Sequence, residues 1–300
     1  MIRVLGTVFT GLLGLAFGSF LNVCLSRWPV GQSVVRPPSH CRRCGRMLPW
    51  WENIPLASWL ALRGRCRGCG ILIGWRYPMV EAAVGALWAY VVWSLAGQAM
   101  ALDQPQEIRA SVIIQLVSRM ILYWLLVALT FLDAEYLWLP DRLTVPGTVL
   151  GLAVILTRVK LNSDSVLSSY GALGMQDRIL WQFALRWILG IAAAALLMLL
   201  IRWVYWLKRR REGMGLGDAK LMAMLAAWLG FSGALLAFGI GVVLGAAVGL
   251  GMLAVPAPPG DAGRWASRKL PLGTFLCIGG IVSALWGEPI IHAYMHWAGF

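Results

Sequence analysis

The sequence predicts an all-α polytopic membrane protein: about eight transmembrane helices, with a cytosolic zinc-knuckle segment between helices one and two. Three observations carry the membrane assignment. Of the 300 residues, 59% are hydrophobic and only 13% charged, with a mean hydropathy of +0.72, whereas a soluble domain carries about 25% charged residues. Several apolar windows reach the roughly 20 residues that a helix needs to cross a bilayer. The 17 tryptophans fit as well, because Trp collects at the membrane–water interface. A net charge of +13 would point to nucleic acid in a soluble chain. Here the basic residues gather in short loops between apolar spans, where they mark the cytoplasmic face, and no nucleic-acid partner is expected.

The first span runs from about Val4 to Leu25. Arg3 followed by an apolar run is reminiscent of a secretory signal. The run is too long for one, however, and ends in Leu25-Ser26-Arg27-Trp28-Pro29, so a retained helix is expected. A polar segment follows, from Ser26 to about Tyr77. Further spans lie near 79–100, 112–132, 143–158, 180–206, 219–230, 233–254 and 271–294. The sixth is the shortest, parted from the seventh by Gly230-Phe231-Ser232-Gly233. Seven spans, with those two fused or one re-entrant, is the alternative. Arg119, inside the third span, should face the bundle or a polar partner. No internal repeat is evident.

Charge assigns the sides. Arg27, Arg36, Arg42, Arg43, Arg46, Arg63, Arg65, Arg67 and Arg76 lie in or beside the polar segment, against Glu52 alone. Lys208, Arg209, Arg210 and Arg211 precede span six, and Arg264, Arg268 and Lys269 precede span eight. Eight spans put these three basic loops on one side with the loop around Asp133. The weakly charged loops near 101–111 and 159–179 fall on the other side, as the positive-inside rule requires. Both termini then face outward.

Cys41-x-x-Cys44 and Cys66-x-x-Cys69, about twenty residues apart, have the spacing of a tetrahedral all-cysteine zinc site. Gly45, Gly68 and Gly70 supply turn freedom for such knuckles. Four thiolates fill the metal shell and leave no place for water, so the role is structural. Two disulfides are the other reading, which needs an oxidising compartment. Cys24 and Cys277 lie in apolar spans as small buried hydrophobes.

Acidic residues number 13, and two clusters stand out. One runs from Phe131 through Asp133, Glu135 and Pro140 to Asp141, at the inner end of span three. The other is Gly213-Met214-Gly215-Leu216-Gly217-Asp218-Ala219-Lys220, at the inner start of span six. Ionisable residues at a membrane boundary are functional candidates. Two carboxylates that meet there can share a proton, one activating water and the other protonating a carbonyl oxygen. Gly215 and Gly217 permit positive φ or a close backbone approach to substrate. Asp218 would sit near a helix N-terminus, which stabilises a carboxylate. The non-catalytic readings make Asp218 an N-cap, Asp133 and Asp141 interfacial carboxylates paired with Arg142, and Asp141 a helix cap.

These residues, taken in order, resemble the type IV prepilin peptidases, a bacterial family of GxGD-type aspartyl peptidases. The resemblance covers nearly the whole chain: Gly18-Ser19-Phe20-Leu21-Asn22-Val23, Arg27 and Pro29; the two CxxC pairs with Asn53-Ile54-Pro55, Ser58-Trp59 and Arg63-Gly64-Arg65-Cys66; Arg76-Tyr77-Pro78 with Glu81; Asp133 with Leu139-Pro140-Asp141; Gly215-Leu216-Gly217-Asp218-Ala219-Lys220; and Leu270-Pro271-Leu272-Gly273-Thr274-Phe275. It implies cleavage of the short basic leader of prepilins and pseudopilins at the cytoplasmic face of the inner membrane. In many members methylation of the new N-terminus by S-adenosylmethionine follows. It maps the catalytic pair onto Asp133 and Asp218, with Gly215, Gly217, Lys220 and Asp141 in support. It also divides the chain into a first helix (1–25), a four-cysteine segment linked to N-methylation (26–78) and a peptidase domain in the membrane (79–300). Position 52 is Glu where the family pattern has Asp, which keeps the charge. No GxGxxG follows a strand; Glu81, Arg76 and Tyr77 are the candidates for methyl transfer. The rivals are a non-catalytic membrane scaffold that docks a partner on the zinc knuckle, and a transporter, which would carry its polar features near mid-membrane.

Overall fold

The computed structural model describes residues 1–99, 106–170, 176–210, 215–254 and 270–299. Arg211, Gly213, Met214, Arg264, Arg268 and Lys269, assigned above to loops, lie outside the described residues. Among the described residues there is no β-strand, and eight α-helices are present: α1 (Ile2–Arg27), α2 (Ala57–Ala61), α3 (Arg76–Ala99), α4 (Gln106–Tyr136), α5 (Asp141–Tyr170), α6 (Gln176–Arg209), α7 (Leu216–Ala254) and α8 (Leu272–Trp297). Seven of them are long and apolar enough to cross a membrane; only α2 is not. The expected loops near 101–111 and 159–179 are narrower than their hydropathy implies, because α4, α5 and α6 run on past the apolar windows. The chain divides into two compact units, Met1–Ala128 and Leu129–Phe300.

In the first unit α1 packs along α3, and small residues set the closeness. A Cβ on Gly14 would lie 2.9 Å from the Gly85 Cα, and one on Gly18 would lie 2.7 Å from the Glu81 Cα. Helices in lipid gain their packing energy from such close backbone approach. At the far end of the pair Arg3 donates to the Trp93 carbonyl at 2.7 Å and lies over the Trp93 ring. Arg119 is half-buried in α4, one turn before the fully buried Tyr123.

In the second unit α7 decides the number of crossings. A straight helix over its 39 residues would be about 58 Å long, roughly twice a bilayer core. Instead Gly230 breaks it at φ 74°, ψ 172°, a left-handed backbone that favours glycine. The contacts on either side show a reversal. Along the first limb, Gly217 faces Leu139 and Trp228 donates to the Gly147 carbonyl, so this limb runs with α5. Along the second, Gly233 accepts from Ser283, Gly241 faces Phe275–Leu276 and Gly249 faces Leu270, so this limb runs against α8. Asp218 and Gly273 both lie at Asp133, so the two limbs travel in opposite senses. The Gly230-Phe231-Ser232-Gly233 break is therefore the turn of a helical hairpin inside α7, one of the seven long helices. The outward faces of α5 and α6 carry exposed Val, Leu, Ile and Trp side chains, as lipid contact requires.

Candidate active site and four-cysteine centre

Four helix ends converge in the second unit: the C-terminus of α4 and the N-termini of α5, α7 and α8. Asp133 lies in the last turn of α4, which closes when the Leu137 N–H donates to the Asp133 carbonyl with Leu137 at φ 51°. Asp218 lies in the first turn of α7. Both carboxylates are buried, at 5% and 8% exposure, and they are close enough for the charge of one to act on the other. The backbone of Gly215 donates to Asp218. Asp218 thus sits three residues into α7 and reaches back to the residue before it. This is the acidic half of a capping box rather than the N-cap considered above.

Asp133 is held from α8. The Thr274 backbone N–H donates to its Oδ2 at 2.6 Å, and the Thr274 hydroxyl is within reach of the same oxygen at 3.1 Å and of the Thr130 carbonyl at 3.2 Å, with one proton to give. A Cβ on Gly273 would stand 2.9 Å from the Asp133 Cγ, so only glycine lets α8 come this near. Gly273 and Thr274 stand in the sequence within the Leu270–Phe275 motif, but neither carries a charge or a metal ligand that would single it out.

The supporting residues divide. Lys220 and Asp141 pair at 2.6 Å, but their side chains are 41% and 63% exposed; the partner shown for Asp141 is Lys220, where the non-catalytic reading had Arg142. Gly215 and Gly217 are not in the positive-φ region; a Cβ on Gly217 would press on Leu139 at 3.0 Å. The close approach that Gly217 serves is to Leu139, the residue lodged between Gly217 and Gly273. Glu135 is exposed.

In the first unit the polar segment brings Cys41, Cys44, Cys66 and Cys69 together, with all four sulfurs within 4.8 Å of one another. All six cysteines of the chain are free thiols. Cys41 Sγ and Cys69 Sγ are 3.8 Å apart. A zinc–sulfur bond of about 2.3 Å gives a tetrahedral sulfur–sulfur edge of about 3.8 Å, so the cluster fits a metal such as zinc.

The two halves of the cluster are built alike, twenty-five residues apart. Cys41 N–H donates to the Arg46 carbonyl and Gly45 N–H to the Cys41 carbonyl; Cys66 N–H donates to the Ile71 carbonyl and Gly70 N–H to the Cys66 carbonyl. Antiparallel bridges His40–Met47 and Arg65–Leu72 close the two turns. Gly45 and Gly70 both sit at φ 69°. Gly68 does not; its N–H donates to the Cys66 sulfur at 3.4 Å, and a Cβ there would crowd Arg46. The repeat is mainly one of backbone, with the two cysteines, one arginine (Arg42, Arg67) and one glycine (Gly45, Gly70) shared over five residues. Backbone N–H groups of Cys44 and Arg43 draw the Cys41 thiol down from its usual range to about 6. The Ile71 amide acts the same way on Cys69, but desolvation and the other sulfurs outweigh it and push that thiol up to about 11. Glu52, its side chain only 4% exposed, ties the two halves together: Arg46 grips both carboxylate oxygens at 2.8 and 3.1 Å, and Arg67 approaches to 3.9 Å.

The methyl-transfer candidates lie in a polar seam between α1 and α3. Glu81 is buried and accepts from the Leu56 N–H at 2.8 Å and from Ser19. Arg76 donates to the Ser26 hydroxyl at 3.0 Å and lies over the neighbouring Tyr77 ring. Asn22 donates to the Tyr77 carbonyl at 2.9 Å.

A helical membrane bundle that joins two buried carboxylates at one set of helix ends has the build of a membrane-embedded aspartyl peptidase. The chain belongs to the type IV leader peptidase family: the model of that description matches residues 120–250, and the bacterial peptidase A24 N-terminal domain matches residues 12–95. It is 33% identical to the prepilin leader peptidase/N-methyltransferase of Stutzerimonas stutzeri, over 95% of this chain and 92% of that protein. It is 32% identical to the one from Pseudomonas aeruginosa, over 97% and 94%, and 38% identical to the one from Myxococcus xanthus, over 82% and 63%. No solved structure matches the chain. Family and helix content together make it a bacterial inner-membrane protein.

Proposed function

We propose that the chain is a prepilin leader peptidase and N-methyltransferase that uses Asp133 and Asp218 as a catalytic pair. The observation that supports this most is the meeting of these two buried carboxylates at the ends of α4 and α7, one braced by Thr274 and the other by Gly215. The substrate inserts its apolar helix into the bilayer and leaves its basic leader in the cytosol, on the side of the arginine-rich loops. The two carboxylates hold a water against the scissile carbonyl carbon. The ionised one takes a proton from that water, the other gives its proton to the carbonyl oxygen, and the tetrahedral intermediate collapses with protonation of the leaving amine. Neither a metal nor a covalent nucleophile is needed for this step.

The four cysteines hold zinc as a structural ion, which shapes residues 26–78 into a compact cytosolic segment. S-adenosylmethionine supplies the methyl group when bound. Glu81, Arg76 and Tyr77 are the residues we assign to methyl transfer; the seam they form is rich in hydrogen-bond acceptors, which suits a cationic partner. A scaffold without activity would leave the burial of two neighbouring carboxylates without purpose. The test is leader removal from a membrane-reconstituted prepilin by the purified protein, with Asp133→Asn and Asp218→Asn beside it. Wild type should cleave and neither folded variant should; normal cleavage by both variants would remove the pair from the mechanism.

A further inference from the structure

The seam between α1 and α3 holds more acceptors than the protein itself satisfies. Asn22 is 2% exposed, and its Oδ1 has no hydrogen-bond partner although its Nδ2 is anchored on the Tyr77 carbonyl. A buried acceptor left unpaired costs about 1–3 kcal/mol, so this oxygen is available to a donor that a ligand brings. Ser19 and Asn22 stand three residues apart on one face of α1, and Tyr77 and Glu81 four apart on the facing side of α3. The contacts of Asn22 with Tyr77 and of Ser19 with Glu81 lock these faces together. Three acceptors therefore line one seam: the Glu81 carboxylate, Asn22 Oδ1 and the lone pairs of Ser19 Oγ. The donors seen on Glu81 are neutral, an amide and a hydroxyl.

The amide donor comes from a strained residue. Leu56 adopts φ 57°, ψ −48°, a conformation that costs a non-glycine residue on the order of 1–3 kcal/mol. Its N–H points at Glu81 because of that backbone.

We infer that Glu81, Asn22 and Ser19 form a binding site for a primary ammonium group carried on an apolar segment, namely the new N-terminus that leader cleavage creates. Three N–H donors of an ammonium match three acceptors, and the carboxylate supplies the charge. A sulfonium centre has no N–H to offer Asn22 Oδ1, although the amino-acid end of the methyl donor carries a primary ammonium of its own. The inference rests on the methyl-transfer reading of this seam and adds to it the group bound there and two residues, Asn22 and Ser19.

The experiment uses the full-length zinc-loaded protein in lipid nanodiscs, without methyl donor. The probes are two synthetic peptides of a leader-free prepilin helix, one with a free N-terminal amine and one N-acetylated. Wild type should bind the free amine about tenfold more tightly. Glu81→Gln keeps an acceptor for the Leu56 N–H and removes the charge. It should abolish that preference while zinc content stays at one per chain, and Asn22→Ala should reduce it. Equal binding of the two peptides by wild type, or an undiminished preference in Glu81→Gln, would overturn the assignment. S-adenosylhomocysteine carries its own primary ammonium. If it leaves the free-amine affinity unchanged, the site is the pilin's; if it competes, the site is the donor's and the inference fails. Incubation of wild type with cleaved pilin and S-adenosylmethionine, read by mass spectrometry, tests methyl transfer separately. No methylation beside an intact amine preference would sink that reading and leave the binding site standing.

Discussion

Gly273→Ala should cripple cleavage without touching a charged group. The added Cβ would lie 2.9 Å from Asp133 Cγ, 2.9 Å from its Oδ2 and 2.9 Å from Leu139 Cδ1. Ordinary contacts begin at 3.4 Å, so something must move by at least about 0.5 Å to relieve the overlap. Neither neighbour is free to give. Asp133 Oδ2 is fixed by the Thr274 amide and hydroxyl, and Leu139 is backed by Gly217. The carboxylate itself would be displaced by a good part of an ångström, and a catalytic group misplaced by 1 Å can cost about 10²-fold in rate. Overpacking of this kind also costs about 1–3 kcal/mol of stability. The assay is the initial rate of leader cleavage in reconstituted vesicles, with Gly239→Ala as the comparison, because a Cβ on Gly239 meets nothing within 4 Å. We expect Gly273→Ala to be slower by about 10²-fold and Gly239→Ala to stay within about twofold of wild type. Equal rates in the two variants, at equal membrane insertion, would refute the claim that α8 fixes Asp133.

Three further outcomes follow from the same structure. Thr274→Val keeps the backbone donor and loses the hydroxyl, so cleavage should fall by roughly tenfold, and Thr274→Ser should restore it; a Val variant as active as wild type would show the hydroxyl to be idle. Glu52→Gln breaks the charge link between Arg46 and Arg67 and should weaken zinc by about 10–100-fold in a chelator competition, whereas an unchanged affinity would mean the two turns hold without it. Gly230→Ala puts a side chain at φ 74° against the Trp187 ring, so it should lower the unfolding midpoint of the membrane domain, with a loss of roughly 1–3 kcal/mol; an unshifted midpoint would mean the hairpin turn tolerates strain.

Much of the site could be read from the sequence because its chemistry is scarce there. Charged residues are few, so Asp133 and Asp218 stand out, and the paired CxxC spacing is hard to mistake. The Gly230–Gly233 break was also legible, since two glycines interrupt an otherwise continuous apolar run. What the sequence hid has a common cause: it lies in ordinary residues given meaning by packing. Thr274 looks like any hydroxyl at the start of an apolar helix, and Gly273 like any helix-start glycine, until α4 is beside them. The left-handed Leu56 has no propensity signal. Glu52 reads as a lone acid among arginines, and only the fold makes it a strap between two knuckles. The helices outrun the hydropathy windows because intrahelical hydrogen bonds continue into the polar interface, so α5 extends to Tyr170 although its apolar stretch ends near 158.

The central claim is that Asp133 and Asp218 act as one unit on one water, and a double variant tests it most directly. Residues that act together lose their contribution once, so removing the second costs little after the first is gone. Rates of leader cleavage should be measured for Asp133→Asn, Asp218→Asn and the double variant in the same vesicles. The account predicts that each single variant loses nearly all activity and that the double is no slower than the worse single. Losses that multiply in the double variant, or a single variant that retains substantial cleavage, would contradict it.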